Sequence, residues 1–146
     1  MKTVNEMKLC FISKSANESF ARSAVAAFLL PLDPTVAEIA DVKTAVSEAV
    51  TNAVVHAYPD TFGTVTIEAK LTDKGRAVIK IRDRGVGIPD IKQAMEPLYT
   101  TSADERAGLG FAVMQSFMDN VKVRSTVGKG TTVTLEKNFI RAYGQK

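Results

Sequence analysis

Apolar residues recur with two different spacings along this chain, and each spacing predicts a different kind of element. From about Ala16 to Leu30, and again after residue 35, they recur every three or four positions, as on one face of an amphipathic helix. The first helix must end at or before Pro31. In the second, longer helix the apolar stripe consists of Ile39, Val42, Val46, Ala49 and Ala53.

Residues typical of helix N-termini precede both helices. Ser15 and Glu18 have the spacing of a capping box, in which two side chains and two backbone N–H groups bond reciprocally. Asp33-Pro34-Thr35 followed by Glu38 carries the same signature. We therefore expect both helices to begin at these residues.

The remaining apolar residues alternate with polar ones, which predicts strands with one buried face. The alternation runs through a first strand at Met7, Leu9 and Phe11, and through two hairpins with turns at 73–75 and 128–130. A doubly wound parallel sheet would instead show continuous apolar runs. We expect an α/β (α+β) fold in two layers, with helices packed on one face of a mixed, mostly antiparallel sheet.

Size and composition fit a single domain over residues 1–146, with 45% apolar and 24% charged residues. One cysteine cannot form an intrachain disulfide, which favours a reducing compartment, and we expect a cytoplasmic protein. The longest apolar run, residues 24–30, is too short to cross a bilayer. The net charge of +3 is spread over scattered Lys and Arg residues, which disfavours direct nucleic-acid binding.

Three polar residues of the second helix, Glu48, Asn52 and His56, recur every four positions opposite the apolar stripe. Magnesium keeps several waters and takes few protein oxygens, so the Asn52 side chain can serve as its ligand. One turn earlier, Glu48 can accept the proton of a hydroxyl that attacks a terminal phosphate. The same spacing also fits a solvated polar helix face. We interpret His56 as a structural residue at the helix end.

Asp83 follows a predicted strand and precedes two glycines, Gly85 and Gly87. Glycine lets a flat ligand approach the backbone, and the Asp83 carboxylate can accept a hydrogen bond from the amino group of adenine. An ordinary Asp/Gly turn has the same composition. The third glycine of a dinucleotide-binding fingerprint is missing, so a Rossmann fold is not expected.

A second glycine segment, Gly108-Leu109-Gly110, immediately precedes an apolar stretch in which we expect a helix to start near Gly110. Free N–H groups at such a helix start attract phosphate. Nearby, Arg106 can stabilise charge on the terminal phosphate, or it is a solvated loop charge. The irregular composition of residues 90–107 predicts a lid over the site.

The order of these motifs, followed by Gly128-Lys129-Gly130-Thr131-Thr132, resembles the ATP-binding superfamily of gyrase, Hsp90, histidine kinases and MutL. Within it, several segments resemble the anti-sigma F factors of spore-forming bacteria. These segments are 18–22, 47–56, 85–91 and 98–101.

This resemblance implies a homodimeric serine kinase that uses Mg-ATP, holds a sporulation sigma factor inactive, and phosphorylates a serine of an anti-anti-sigma protein. It implies Glu48 and Arg106 as catalytic residues, Asn52 as magnesium ligand, Arg22 as a partner contact, and nucleotide contacts at Asp83, Gly85, Gly87, Thr100, Gly108, Leu109, Gly110 and Thr131. Two positions depart from the family's pattern, because Ala57 replaces a common glycine and Ser102 a frequent lysine. The second leaves the lid's phosphate contacts open.

Two other functions remain compatible with the motifs, and a third is disfavoured. A general-stress anti-sigma kinase would use the same chemistry on another partner, and a non-catalytic ATP sensor would use the same binding residues without transfer. A detached histidine-kinase domain is disfavoured because the chain lacks separate helices carrying a phosphoacceptor histidine.

Overall fold

The computed structural model describes residues 2–95 and 102–139, and the side chains of its last helix from Gly110 onward. No helix in these ranges is long and apolar enough to cross a membrane. In chain order the elements are β1 (Thr3–Ile12), α1 (Asn17–Leu29), a 3-10 turn (Leu30–Leu32), α2 (Val36–Asn52), a π-helical turn (Ala53–Ala57), β2 (Thr64–Thr72), β3 (Arg76–Asp83), α3 (Ile91–Ala94), α4 (Ser102–Phe117), β4 (Asn120–Thr126) and β5 (Gly130–Asn138).

The sheet has five strands in the order β1-β2-β3-β5-β4, and each neighbouring pair runs antiparallel. Apolar residues on one face pack against α1, α2 and α4, while the other face carries mainly polar and charged side chains. The predicted α/β two-layer sandwich is therefore confirmed. Alternation determines this arrangement, because each strand can bury only one set of side chains.

The predicted apolar stripe of α2 lies in this core. Val42, Val46, Ala49 and Ala53 are buried, and Ile39 is half-buried at the margin. Because these residues occupy one side of α2, the opposite side is directed away from the sheet. That polar side carries the candidate site residues.

The two predicted capping boxes have different outcomes. At α2 the box forms: Glu38 N–H donates to Thr35 Oγ1 at 3.0 Å, and Thr35 N–H donates to Glu38 Oε1 at 2.7 Å. At α1 the prediction is wrong, because the helix begins after Ala16 with no side-chain cap. The Glu18 carboxylate instead accepts a hydrogen bond from the Thr51 hydroxyl, which ties α1 to α2.

Helix α4 begins at Ser102, eight residues before the predicted start near Gly110. Residues 103–107, Ala-Asp-Glu-Arg-Ala, are mostly good helix formers and place two acidic residues in the first turn, where the helix dipole favours them. The expectation that Gly108 and Gly110 stand at a helix N-terminus is therefore wrong in this structure. Both glycines lie inside the helix.

Candidate functional site

Asp83, the last residue of β3, is fixed by two backbone N–H groups. Its Oδ1 atom accepts hydrogen bonds from Gly85 N–H at 2.9 Å and from Thr131 N–H at 3.2 Å. Within the described part of the chain nothing donates to Oδ2, so that atom can accept a bond from a ligand. Burial raises the pKa of the Asp83 carboxyl, and the two N–H donors offset only part of the rise.

The glycines after Asp83 are required by close contacts within the protein itself. A Cβ on Gly85 would lie 2.1 Å from the carbonyl oxygen of Ala57, which also accepts a bond from Val86 N–H at 2.9 Å. Gly87 has φ +80°, and a Cβ there would lie 2.5 Å from the Thr126 carbonyl oxygen. These approaches hold the loop after β3 against both the π-helical turn that follows α2 and the β4–β5 turn.

The β4–β5 turn closes this loop from the other side. Gly128 N–H donates to Val86 O at 2.8 Å, and a Cβ on Gly130 would lie 2.2 Å from Asp83 O. Thr131 pairs directly with Asp83 across β3 and β5. Its role toward a nucleotide stays a prediction.

Sequence reasoning missed Ser125 on β4. Its Oγ accepts from Ile88 N–H at 2.7 Å, donates to Gly130 O at 3.1 Å, and lies 2.8 Å from Thr131 Oγ1. In the second hairpin, Ser125 pairs with Thr131, and this pairing could have identified Ser125 from the sequence. Ser125 thus connects the loop after β3 to the β4–β5 turn.

Glu48, Asn52 and Gly110 form a second cluster, where α4 crosses the polar side of α2. A Cβ on Gly110 would lie 3.2 Å from Glu48 Oε2 and 3.5 Å from Asn52 Oδ1. Asn52 Nδ2 is buried, and no described residue is its hydrogen-bond partner. A buried amide without a partner costs roughly 1–3 kcal/mol, which favours a position that receives a polar ligand.

The residues present fit a magnesium-bound nucleotide. In the described ranges no group of three His, Cys, Asp or Glu side chains could hold a metal ion alone. Magnesium does not need such a group, because one side-chain oxygen together with phosphate oxygens and waters satisfies it. Asn52 has an oxygen of this kind, and it faces Gly110, which adds no side chain to this contact.

We call Asp83, Gly85, Gly87 and Thr131 the loop end of the site, and Glu48, Asn52 and Gly110 the helix end. The π-helical turn joins them, since it starts directly after Asn52 and finishes at Ala57, the residue that contacts Gly85. π-Helical turns of this kind are frequent at functional sites. Ala57, which replaces a glycine common in the family, does not have a positive φ, so its backbone conformation does not require glycine.

The other predicted site residues belong to α4, to the segment that precedes it, and to α1. Arg106, Gly108 and Leu109 belong to α4, in the part whose side chains are not described, and Thr100 lies outside the described residues. Arg22 is half-buried on α1. The roles predicted for these residues stay predictions.

Comparison with known proteins matches residues 13–137 to the histidine kinase-like ATPase domain family. The anti-sigma F factor of Caldanaerobacter subterraneus subsp. tengcongensis is 56% identical over 138 residues, covering 94% of this chain and 96% of that protein. The anti-sigma F factor of Clostridium acetobutylicum is 56% identical over 136 residues, covering 92% and 94%.

Two solved structures share the fold at low identity. The RsbU and RsbW domains of a Mycobacterium tuberculosis protein superpose with a TM-score of 0.68 at 20% identity, covering 92% of this chain and 32% of that one. A blue-light activated histidine kinase of Erythrobacter litoralis gives 0.57 at 23% identity, covering 75% and 33%. These two structures are similar to this chain in their fold, the two-layer architecture.

Proposed function

This chain belongs to the anti-sigma F factor family and carries a histidine kinase-like ATPase domain, and on that basis we propose that it is an ATP-dependent protein serine kinase. In this proposal it binds and inhibits a sporulation sigma factor of RNA polymerase in the cytoplasm. It also phosphorylates one serine of an anti-anti-sigma protein and acts as a homodimer. The observation that carries the proposal is the juxtaposition of Glu48, Asn52 and Gly110 at the helix end.

The loop end is proposed to bind adenine. Asp83 Oδ1 is already occupied by two backbone donors, which orients the carboxylate so that Oδ2 can accept a bond from the adenine amino group. Gly85, Gly87 and Thr131 fix the surrounding backbone. Asn52 is proposed to hold the magnesium ion, whose chemistry is to offset negative charge on the phosphates.

The helix end is proposed to carry out the transfer. The oxygen of the acceptor serine forms a bond to the γ-phosphorus of ATP while Glu48 takes the hydroxyl proton. The bond from that phosphorus to the β,γ-bridging oxygen breaks, and its electron pair leaves with ADP. Arg106 is proposed to stabilise the transferring group, and Thr100, Gly108 and Leu109 to contact the nucleotide. Residues 90–107 are proposed to form a lid over the site.

The direct test is phosphate detection by mass spectrometry. Purified anti-anti-sigma protein is incubated with this chain, ATP and magnesium, and its peptides are searched for phosphoserine. Phosphoserine on one residue supports the kinase. No phosphoserine, in a sample where calorimetry demonstrates ATP binding, would contradict it and favour a non-catalytic ATP sensor. Capture of only a general-stress sigma factor by the immobilised chain would contradict the sporulation assignment.

A further inference from the structure

A groove of about 370 Å³ lies between α1 and α2, next to the helix end of the site. Its lining residues are Arg22, Ala40, Lys43, Thr44, Ser47 and Glu48. Glu48 therefore contacts α4 at Gly110 and also lines this groove. The groove gives the proposed base an opening toward a second molecule.

The order of residues along α2 shows which side of Glu48 the groove occupies. With a rise of 1.5 Å per residue, Lys43 lies about 7.5 Å before Glu48 along the helix axis, and Asn52 about 6 Å after it. The nucleotide is proposed to lie on the Asn52 side. Because the attacking and leaving oxygens of phosphoryl transfer lie roughly in line, the acceptor approaches from the side away from ADP. That side is the groove.

Apart from Glu48, the charged residues of the groove are both cations, Arg22 and Lys43. Neither forms an ion pair with any acidic residue whose side chain is described. The Thr44 hydroxyl already donates to Ala40 O at 2.9 Å. Two cations with no ion-pair partner among the described side chains, at the entrance to a carboxylate, attract an acidic segment and leave the carboxylate free for a neutral hydroxyl.

We propose that Lys43, together with Arg22, binds acidic side chains flanking the acceptor serine, so that Lys43 determines which serine of a partner reaches Glu48. This inference rests on the proposed kinase function and specifies its substrate class: a serine in a locally acidic segment of a protein. Lys43 acts here as a positioning residue, since it does not contact the transferred group.

The test compares Lys43→Glu with Lys80→Glu, which makes the same charge change at an exposed residue on the open face of the sheet. Initial rates are measured against the concentration of the anti-anti-sigma protein and, separately, of ATP. We expect Lys43→Glu to raise KM for the acceptor about tenfold, because a like charge then faces the acidic segment. The kcat value and KM for ATP should stay within about twofold of the wild type. Replacing the acidic residues beside the acceptor serine by lysine should restore KM in the Lys43→Glu chain.

Three results would overturn the inference: an unchanged acceptor KM, an equal rise in the Lys80→Glu control, or a rise confined to KM for ATP. The last would mean that Lys43 contacts the nucleotide. If the wild-type chain transfers no phosphate, the kinase proposal fails separately. In that case, titration calorimetry tests whether Lys43 contributes to binding of the acceptor. The acceptor is titrated into the chain, which has been saturated with a non-hydrolysable ATP analogue. Weaker binding only for Lys43→Glu supports it, and equal binding contradicts it.

Discussion

The two ends of the candidate site are built differently, although one helix reaches both. At the loop end, three segments of backbone meet within hydrogen-bond distance, and Gly85 and Gly130 sit where any side chain would collide with main-chain atoms. At the helix end, two helices meet through polar side chains, and the Asn52 amide lacks a described partner. The backbone of the loop end is thus held by contacts within the protein, whereas the helix end contains a buried amide with no described partner. We infer that the loop end determines nucleotide affinity and the helix end the chemistry.

The largest effect is expected from Gly85→Ala. Its Cβ would overlap the carbonyl of Ala57, which is backbone and cannot rotate away, so we expect a loss of about 3 kcal/mol or more in the free energy of unfolding. Gly128→Ala is the matched control. Gly128 has positive φ but no atom within 4 Å of an added Cβ, so it should lose only about 1–2 kcal/mol. Urea denaturation of both variants measures the difference, and equal losses would show that the loop end is not held by this contact.

The next largest effect is on nucleotide affinity, in Asp83→Asn. The amide keeps one oxygen for the Gly85 and Thr131 N–H groups but replaces the other acceptor with a donor. Losing a hydrogen bond to a charged group should weaken ATP binding by about 10- to 100-fold, as measured by calorimetry. Unchanged affinity would remove Asp83 from the adenine site.

The raised pKa of Asp83 predicts opposite effects of pH on stability and on binding. In the folded chain its proton is held more tightly than in the unfolded chain, so its contribution to stability is full below the unfolded value of 3.8 and is lost as pH rises through the raised value. Ionised Asp83 therefore opposes folding at neutral pH, and Asp83→Asn should raise the melting temperature of the ligand-free chain. ATP affinity of the wild type should fall as acid protonates this carboxyl, with Asp83→Asn showing a flatter profile. A lower melting temperature for the variant would contradict the assignment.

A smaller effect is expected from Ser125→Ala. This change removes the hydroxyl that accepts from Ile88 N–H and contacts Thr131, and it should lower stability by about 1 kcal/mol. ATP affinity should fall only a few-fold, because the bonds to Asp83 Oδ1 remain. A loss of affinity as large as that of Asp83→Asn would mean that Ser125 touches the nucleotide directly.

The parts of the fold that follow local rules could be predicted from the sequence. Thr35 and Glu38 of the capping box are only three positions apart, and strand alternation needs no knowledge of distant residues. The position of Asp83 at the end of a strand, and that of Glu48 and Asn52 on one side of a helix, follow from the same periodicity. These predictions succeed because neighbouring residues are sufficient to determine them.

The predictions that failed depend on contacts between distant residues or on competing local preferences. Glu18 has capping-box spacing, yet Thr51, 33 residues away, offers its carboxylate a better partner. The glycines near Gly110 suggested a helix start, but good helix formers between Ala103 and Ala107 begin the helix earlier. The contact of Gly85 with Ala57 could not be predicted either, since it requires the π-helical turn and the loop after β3 to meet in space.

The measurement that tests the division of labour most directly is a comparison of Glu48→Gln with Asp83→Asn in two assays: ATP affinity by calorimetry, and the single-turnover rate of phosphate transfer to the anti-anti-sigma protein at saturating ATP. For Glu48→Gln we expect the rate to fall about 100-fold or more, with ATP affinity within about threefold of the wild type. For Asp83→Asn we expect the reverse, weak binding with a rate near the wild type once ATP saturates. Parallel losses of affinity and rate in both variants would contradict separate roles for the two ends, and an unchanged rate in Glu48→Gln would remove Glu48 as the base.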